Sequence, residues 1–184
     1  ECVEIYAGLD LSARTDLTAF VLAGLDDEGV WHVHPTFWTP SKGLQDRDKR
    51  DRQPYVLWNR KGCLRTTPGA TVDYERVAKE IAELTEGLDV QAVAFDRWRI
   101  DLLKKEFDEI GLQLPLVPHG QGFKDMSPAL DALESEALNG RIRHGGHPVL
   151  TMCAAGAVVT RDPAGNRKLD KSKATSRIDG MVAL

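Results

Sequence analysis

"GLDLSARTDLTAF", Gly8 to Phe20, decides how the chain is read. With Val3, Ile5 and Ala7 before it and Val21 and Leu22 after it, the stretch reads as a strand, a short polar turn and a second strand. Yet Asp10 stands inside the first strand, among residues that should face a core, and burying an unmatched carboxylate is expensive. A strand that keeps an acid in that position needs a cation to balance it.

Working outward, residues 3–11, 17–25 and 30–39 read as three strands joined by the turns "SARTD" and "DDEG", an antiparallel meander. A polar, basic stretch, 40–69, follows without convincing periodicity apart from "YVLW". The pattern then changes. "TVDYERVAKEIAELTEG" sets Val77, Ile81 and Leu84 at helical spacing before the stop signal Gly87. "VQAVAF" is a short apolar strand, "RIDLLKKEFDEIG" a helix with Leu102, Leu103, Phe107 and Ile110 on one side, and "LPLVP" another strand. "MSPALDALESEALNG" is a helix with Ser127 as its expected cap before Pro128, and "HPVLTMCAAGAVV" a buried one. "VVTRDPAGNRKLD" carries the turn signal of a β-hairpin, and "SRIDGMVAL" starts a last helix. Three hairpin-linked strands, then helix–strand–helix–strand, then helices, is the order of a ribonuclease H-like α/β domain. The expected architecture is a mixed five-stranded sheet with helices on both faces and a basic β-hairpin near the C-terminus.

The 184 residues are expected to form a single domain, and the opening at Glu1 and the stop at Leu184 in mid-pattern suggest a fragment of a longer chain. No apolar run reaches the roughly 20 residues of a bilayer span, and no signal-peptide pattern is present. Cys2, Cys63 and Cys153 are odd in number and far apart, fit neither a disulfide framework nor a metal motif, and read as small apolar fillers. The formal charge of −4 is unevenly spread: residues 41–65 carry a net +5 and residues 161–177 a net +4, leaving the remainder at −13. Two basic stretches on an acidic body are a polyanion footprint, though a charge run is also the ordinary composition of a solvated loop.

Three aspartates occupy corresponding places in this architecture. Asp10 shares its strand parity with Gly8 and Ser12; Asp96 follows the first parallel strand, whose carboxyl end is where open sheets collect ligands; Asp179 is expected one turn into the last helix. Converging acids repel unless cations sit between them, and hard oxygen donors without histidine or cysteine favour Mg²⁺ or Mn²⁺. Two such ions about 4 Å apart can activate water and steady the leaving oxygen of a phosphodiester. Taken singly, each acid has a structural reading too: Asp96 as a helix cap, Asp179 as a favourable charge at a helix start.

The segments "GLDLSARTDLTAF", "AFDRWR", "QGFKDMSPALDALESEALNGRIRHGGHPVL" and "DPAGNRKLDKSKATSRIDGMVAL" together resemble the C-terminal nuclease domain of tailed-bacteriophage large terminases, with residues 41–65 the least diagnostic part. The resemblance implies a metal-dependent endonuclease that cuts double-stranded DNA during genome packaging, with Asp10, Asp96 and Asp179 as catalytic and metal-binding residues and two Mg²⁺ or Mn²⁺ ions as cofactors. It also implies an upstream ATPase motor domain, a small terminase subunit and a portal as partners, and a place in the host-cell cytoplasm. The isolated domain is expected to be monomeric. No G-x-x-x-x-G-K-[ST] phosphate loop occurs in these residues.

Arg161, Arg167, Lys168, Lys171, Lys173 and Arg177 are expected to hold the duplex over the acids through phosphate contacts. His144, His147 and His119 read as loop histidines, Asp16 as a turn residue, and Trp31, Trp38, Trp58 and Trp98 as packing residues, with a DNA contact at Trp58 as its alternative reading. A Holliday-junction resolvase or transposase-type nuclease shares the same acids. A non-catalytic module docking on DNA or the portal shares the fold without the chemistry. An actin-like ATPase or sugar kinase, which also starts "G-x-D-x", needs a second glycine- and aspartate-rich phosphate loop that is not found here.

Overall fold

The computed structural model describes residues 2–12, 16–97 and 100–184. Most of the first turn, Trp98 and the expected start of a helix at Arg99 therefore lie outside the described residues. The meander forms as expected from β1 (Cys2–Asp10), β2 (Thr18–Asp26) and β3 (Trp31–Pro40), with Gly8 opposite Val21 and Asp10 opposite Ala19. After α1 (Leu44–Asp51), α2 (Tyr55–Arg60), β4 (Arg65–Thr67) and α3 (Tyr74–Thr85), strand β5 (Val90–Phe95) lies parallel to β1. The chain continues through α4 (Ile100–Ile110) to β6 (Leu116–Pro118), parallel to β5. Then come α5 (Phe123–Leu138), β7 (Ile142–Arg143), α6 (Pro148–Gly156), the hairpin β8 (Val159–Arg161) and β9 (Arg167–Leu169), and α7 (Asp179–Ala183).

The main sheet runs β4-β3-β2-β1-β5-β6, with β7 also paired to β3. It is a mixed α/β, ribonuclease H-like sheet, and it has seven strands where five were expected. The two extra strands are β4 and β7, which pair in parallel with opposite ends of β3: Trp38 with Arg65, and Trp31 with Ile142. Strands of two and three residues are too short to show a period, so neither registers in the sequence.

Successive side chains point to opposite faces of the strands, and both faces are covered, which splits the core in two. Ala7, Leu9, Phe20 and Leu22 face the helices α3 and α4 with Val77, Ile81, Leu103 and Phe107. Ala19, Val21 and Phe37 face the other way, packing with Tyr55 and Trp58 of α2, Val149 and Cys153 of α6, and Ala183 of α7. Trp58 is thus a core residue edge-on to Tyr55, which corrects its alternative reading as a DNA contact. Within 41–65 the buried Arg47 donates to the Lys42 and Pro40 carbonyls and to Thr39, and so ties α1 to the end of β3.

Two helix starts differ from expectation. Helix α5 begins at Phe123 after Gly122, so Ser127 lies inside it and caps nothing; its hydroxyl accepts instead from the Arg167 amide at 3.1 Å. Helix α7 begins at Asp179 itself, not a turn earlier, because residues before it are drawn against α6: Ser176 donates to the Met152 carbonyl and presses on Gly156. No helix among the described residues is long and apolar enough to cross a membrane.

Helix α7 approaches the sheet closely through two glycines. A Cβ on Gly8 would overlap the Ala183 carbonyl, and one on Gly180 would meet the Phe37 ring at 2.7 Å. Gly8→Ala is therefore expected to cost about 3 kcal/mol of stability, because the obstacle is backbone and cannot rotate away. Urea unfolding midpoints of the variant and the parent protein measure this; a change under about 0.5 kcal/mol would contradict the close approach.

Candidate metal centre

Gly8 and Asp10 project from the same face of β1, the face that α7 covers. Gly8 meets Ala183, and Asp10 meets Asp179 through the lysine described below. Two residues along a strand advance about 6.6 Å, and four along a helix about 6 Å. Helix α7 therefore runs antiparallel along β1, and its first residue arrives beside the last residue of the strand. This explains a carboxylate at the buried end of the strand.

Asp10 and Asp179 are only 6% and 5% exposed. Between them lies the ammonium of Lys171, 2.5 Å from Asp10 Oδ2 and 3.0 Å from Asp179 Oδ1. Burial first, then the neighbouring Asp179 charge, push the Asp10 carboxyl up to about 7, with Lys171 pulling the other way. Burial on its own would lower the Lys171 pKa; the Asp179 and Asp10 charges outweigh it and hold the ammonium above its ordinary value.

Asp96 stands one strand over. Gly8 pairs with Ala94 and Leu9 with Phe95, so the parallel register carried one step further sets Asp96 beside Asp10 on the same face, strands being about 4.8 Å apart. Asp96 also lines an open pocket of about 260 Å³ between the sheet, α5 and α7, together with His119, Met126 and Leu184. Among the described residues, no group of three or more His, Cys, Asp or Glu side chains stands close enough to hold a metal ion. Asp10 and Asp179 come together, Asp96 is adjacent, and the space between the first two is occupied by Lys171.

The donor set suits a hard divalent cation. Two buried carboxylates already share one cation, and their oxygens are the ligand type that Mg²⁺ and Mn²⁺ prefer. Ser12, two residues past Asp10, has a buried hydroxyl with no hydrogen-bond partner among the described residues, an unusual state for a native polar group. The other named groups are structural. His147 caps α6 through Leu150 and lies against Phe37, and burial lowers its pKa. His144 is exposed and pairs with the Gly146 amide. Cys153 is fully buried, its thiol pushed up to about 12 by burial. Asp16 pairs with Arg177.

Of the six basic residues expected on DNA, only Lys171 reaches the carboxylates. Arg167 is bound to Asp131 and Glu134 of α5, Arg177 to Asp16 and Asp51, and the Lys168 ammonium sits 4.9 Å from the centre of the Phe123 ring. Arg161 and Lys173 are exposed, Lys173 lying 3.8 Å from Asp170. Sequence reasoning missed Asp131 and Glu134 as partners of Arg167; their spacing of three on one helix face was the available signal.

Residues 2–184 match the family described as "Terminase large subunit, endonuclease domain". The chain belongs to that family. It is 67% identical over 179 residues to the large terminase subunit of Enterobacteria phage HK97, covering 97% of this chain and 36% of that protein. It thus spans just over a third of this relative's length. The crystal structure of the HK97 large terminase superposes with a TM-score of 0.94 over 98% of this chain and 38% of that one. The large terminase nuclease from thermophilic phage G20c shares the fold at 14% identity, with a TM-score of 0.61 over 99% of this chain and 83% of that one. A structure of that G20c nuclease holds bound magnesium, and another bound cobalt.

The raised Asp10 pKa makes the stability of this terminase domain pH-dependent. Folded Asp10 holds its proton up to about pH 7, whereas a carboxyl at the ordinary value of 3.8 has released it. The folded state thus binds the extra proton between these values, and this contribution to stability is lost as pH rises through about 7. Metal-free protein should therefore lose stability between pH 6 and pH 8, and Asp10→Asn should flatten that slope. Urea midpoints in EDTA at both pH values measure it; an unaltered slope in the variant would refute the assignment.

Proposed function

We propose that this domain is a metal-dependent endonuclease that cuts double-stranded DNA during viral genome packaging. The observation that carries the reading is the meeting of Asp10 and Asp179 around a single cation at the carboxyl end of the central strand. Asp96, on the adjacent strand end, is the third acid. Membership of the terminase endonuclease family and the magnesium- and cobalt-bound forms of the G20c nuclease support a nuclease that uses divalent cations.

In this reading Asp10, Asp96 and Asp179 are the catalytic and metal-binding residues. Asp10, central among the three, would hold Mg²⁺ or Mn²⁺ together with Asp96 and Asp179 on either side of it. When bound, a pair of such ions supplies an activated water and charge stabilisation for the leaving oxygen. The burial of Asp10 and Asp179 strengthens their attraction for cations, since water screens it little there. The exposed Arg161 and Lys173 meet backbone phosphates, which orients a duplex without reading its sequence. Arg167, Lys168 and Arg177 shape the surface that carries them rather than meeting DNA first. The domain acts as part of a longer chain with an ATPase motor, alongside a small terminase subunit and a portal, in the host-cell cytoplasm.

Plasmid cleavage with Mg²⁺ or Mn²⁺ tests this. The wild-type domain should nick or linearise supercoiled DNA, and Asp10→Asn, Asp96→Asn and Asp179→Asn should each lose at least about a hundredfold in rate. Wild-type rates in all three variants would overturn the reading. A marked preference for four-way junctions over linear duplex would instead favour a resolvase of the same fold.

A further inference from the structure

Lys171 does not reach Asp10 and Asp179 by chance of a flexible tail. Immediately before it, the hairpin is fixed to α5 from several directions. The Arg167 guanidinium is held by Asp131 and by Glu134 Oε2 at 2.8 Å, its amide donates to Ser127 Oγ at 3.1 Å, and Lys168 lies over the Phe123 ring. Immediately after β9, Asp170 accepts from the Ser172 amide at 3.0 Å and hydroxyl at 2.5 Å, and the Lys173 and Ala174 amides donate to its carbonyl. That turn aims Lys171 back at the sheet, while Ser172 and Lys173 stay exposed.

We propose that Lys171 is a built-in counter-cation for the Asp10–Asp179 pair, presented by the α5-docked hairpin, and that a divalent cation enters this pair only by displacing it. The proposal rests on the metal-centre reading of these acids. The physical argument is one of competition. Two buried carboxylates sharing a face need positive charge nearby, and the ammonium supplies it at hydrogen-bonding distance from both. Half of the Lys171 side chain remains exposed, so it can swing into water without disturbing the core. Arg167 is then a positioning residue: it touches neither acid, but its grip on α5 decides how firmly Lys171 is presented. Asp131 and Glu134 are more than half exposed, so neutralising them loosens the clamp without opening a cavity.

Titration calorimetry of Mn²⁺ into the whole chain tests this, with thermal melts in EDTA to verify that each variant folds. Lys171→Met should bind Mn²⁺ on the order of tenfold tighter than wild type, because a competing charge has gone. Lys171→Arg, which keeps the charge, should stay within about threefold of wild type. The double variant Asp131→Asn, Glu134→Gln should gain severalfold, less than Lys171→Met. Unchanged or weaker Mn²⁺ binding in Lys171→Met, with binding abolished in Asp10→Asn, would overturn the counter-cation while leaving the metal centre standing. Tighter binding in Lys171→Met but wild-type binding in the double variant would overturn the part given to the hairpin. Mn²⁺ binding that survives both Asp10→Asn and Asp179→Asn would instead remove the metal reading, and this proposal with it.

Discussion

The close seating of α7 on β1 is the contact on which the rest depends. Helix α7, over Asp179–Ala183, is held by its packing against the sheet and α6. It persists because Gly8 and Gly180 let backbone approach backbone, and because Ala183, Met181 and Leu184 share a core with α6 and the sheet. That seating brings an acid from one end of the chain to an acid near the other. Asp10 and Asp179, 169 residues apart, meet only because a strand and a helix of opposite direction are held in one register.

The same seating creates the electrostatic problem that the site resolves. Two carboxylates under 10% exposed cannot both be ionised without positive charge at hand. Lys171 provides it, at the end of a hairpin whose Arg167 and Lys168 are engaged with α5. A divalent ion provides it more strongly, and the two cannot occupy the same few ångströms. Through Lys171 the basic hairpin is an electrostatic partner of the acids.

How far this was legible in the sequence depended on the kind of signal. The meander, β5, β6 and the long helices announced themselves by period, and Asp10 by being a charge in an apolar strand. The pairing of β1 with β5 followed from element order, and with it the neighbourhood of Asp96. What stayed hidden was set by contacts between distant segments. Strands β4 and β7 have too few residues to show alternation; α7 starts late because Ser176 is drawn to α6; Ser127 looked like a cap yet serves the hairpin. The basic residues were read by charge alone, which cannot tell an arginine waiting for phosphate from one already paired. The fold sets Arg167 against Asp131 and Glu134, and Arg177 against Asp16 and Asp51.

The borders of the sheet have a further consequence. On one side, β3 is flanked at its two ends by β4 and β7; on the other, β6 is three residues long and closes on Pro118, which has no amide hydrogen to offer. Among the described residues, the outermost strands at both margins are only two or three residues long, which shortens the row of open amides and carbonyls offered to a second polypeptide. Copies of this domain crowded side by side would thus resist zipping together edge to edge, and could turn or separate as independent bodies.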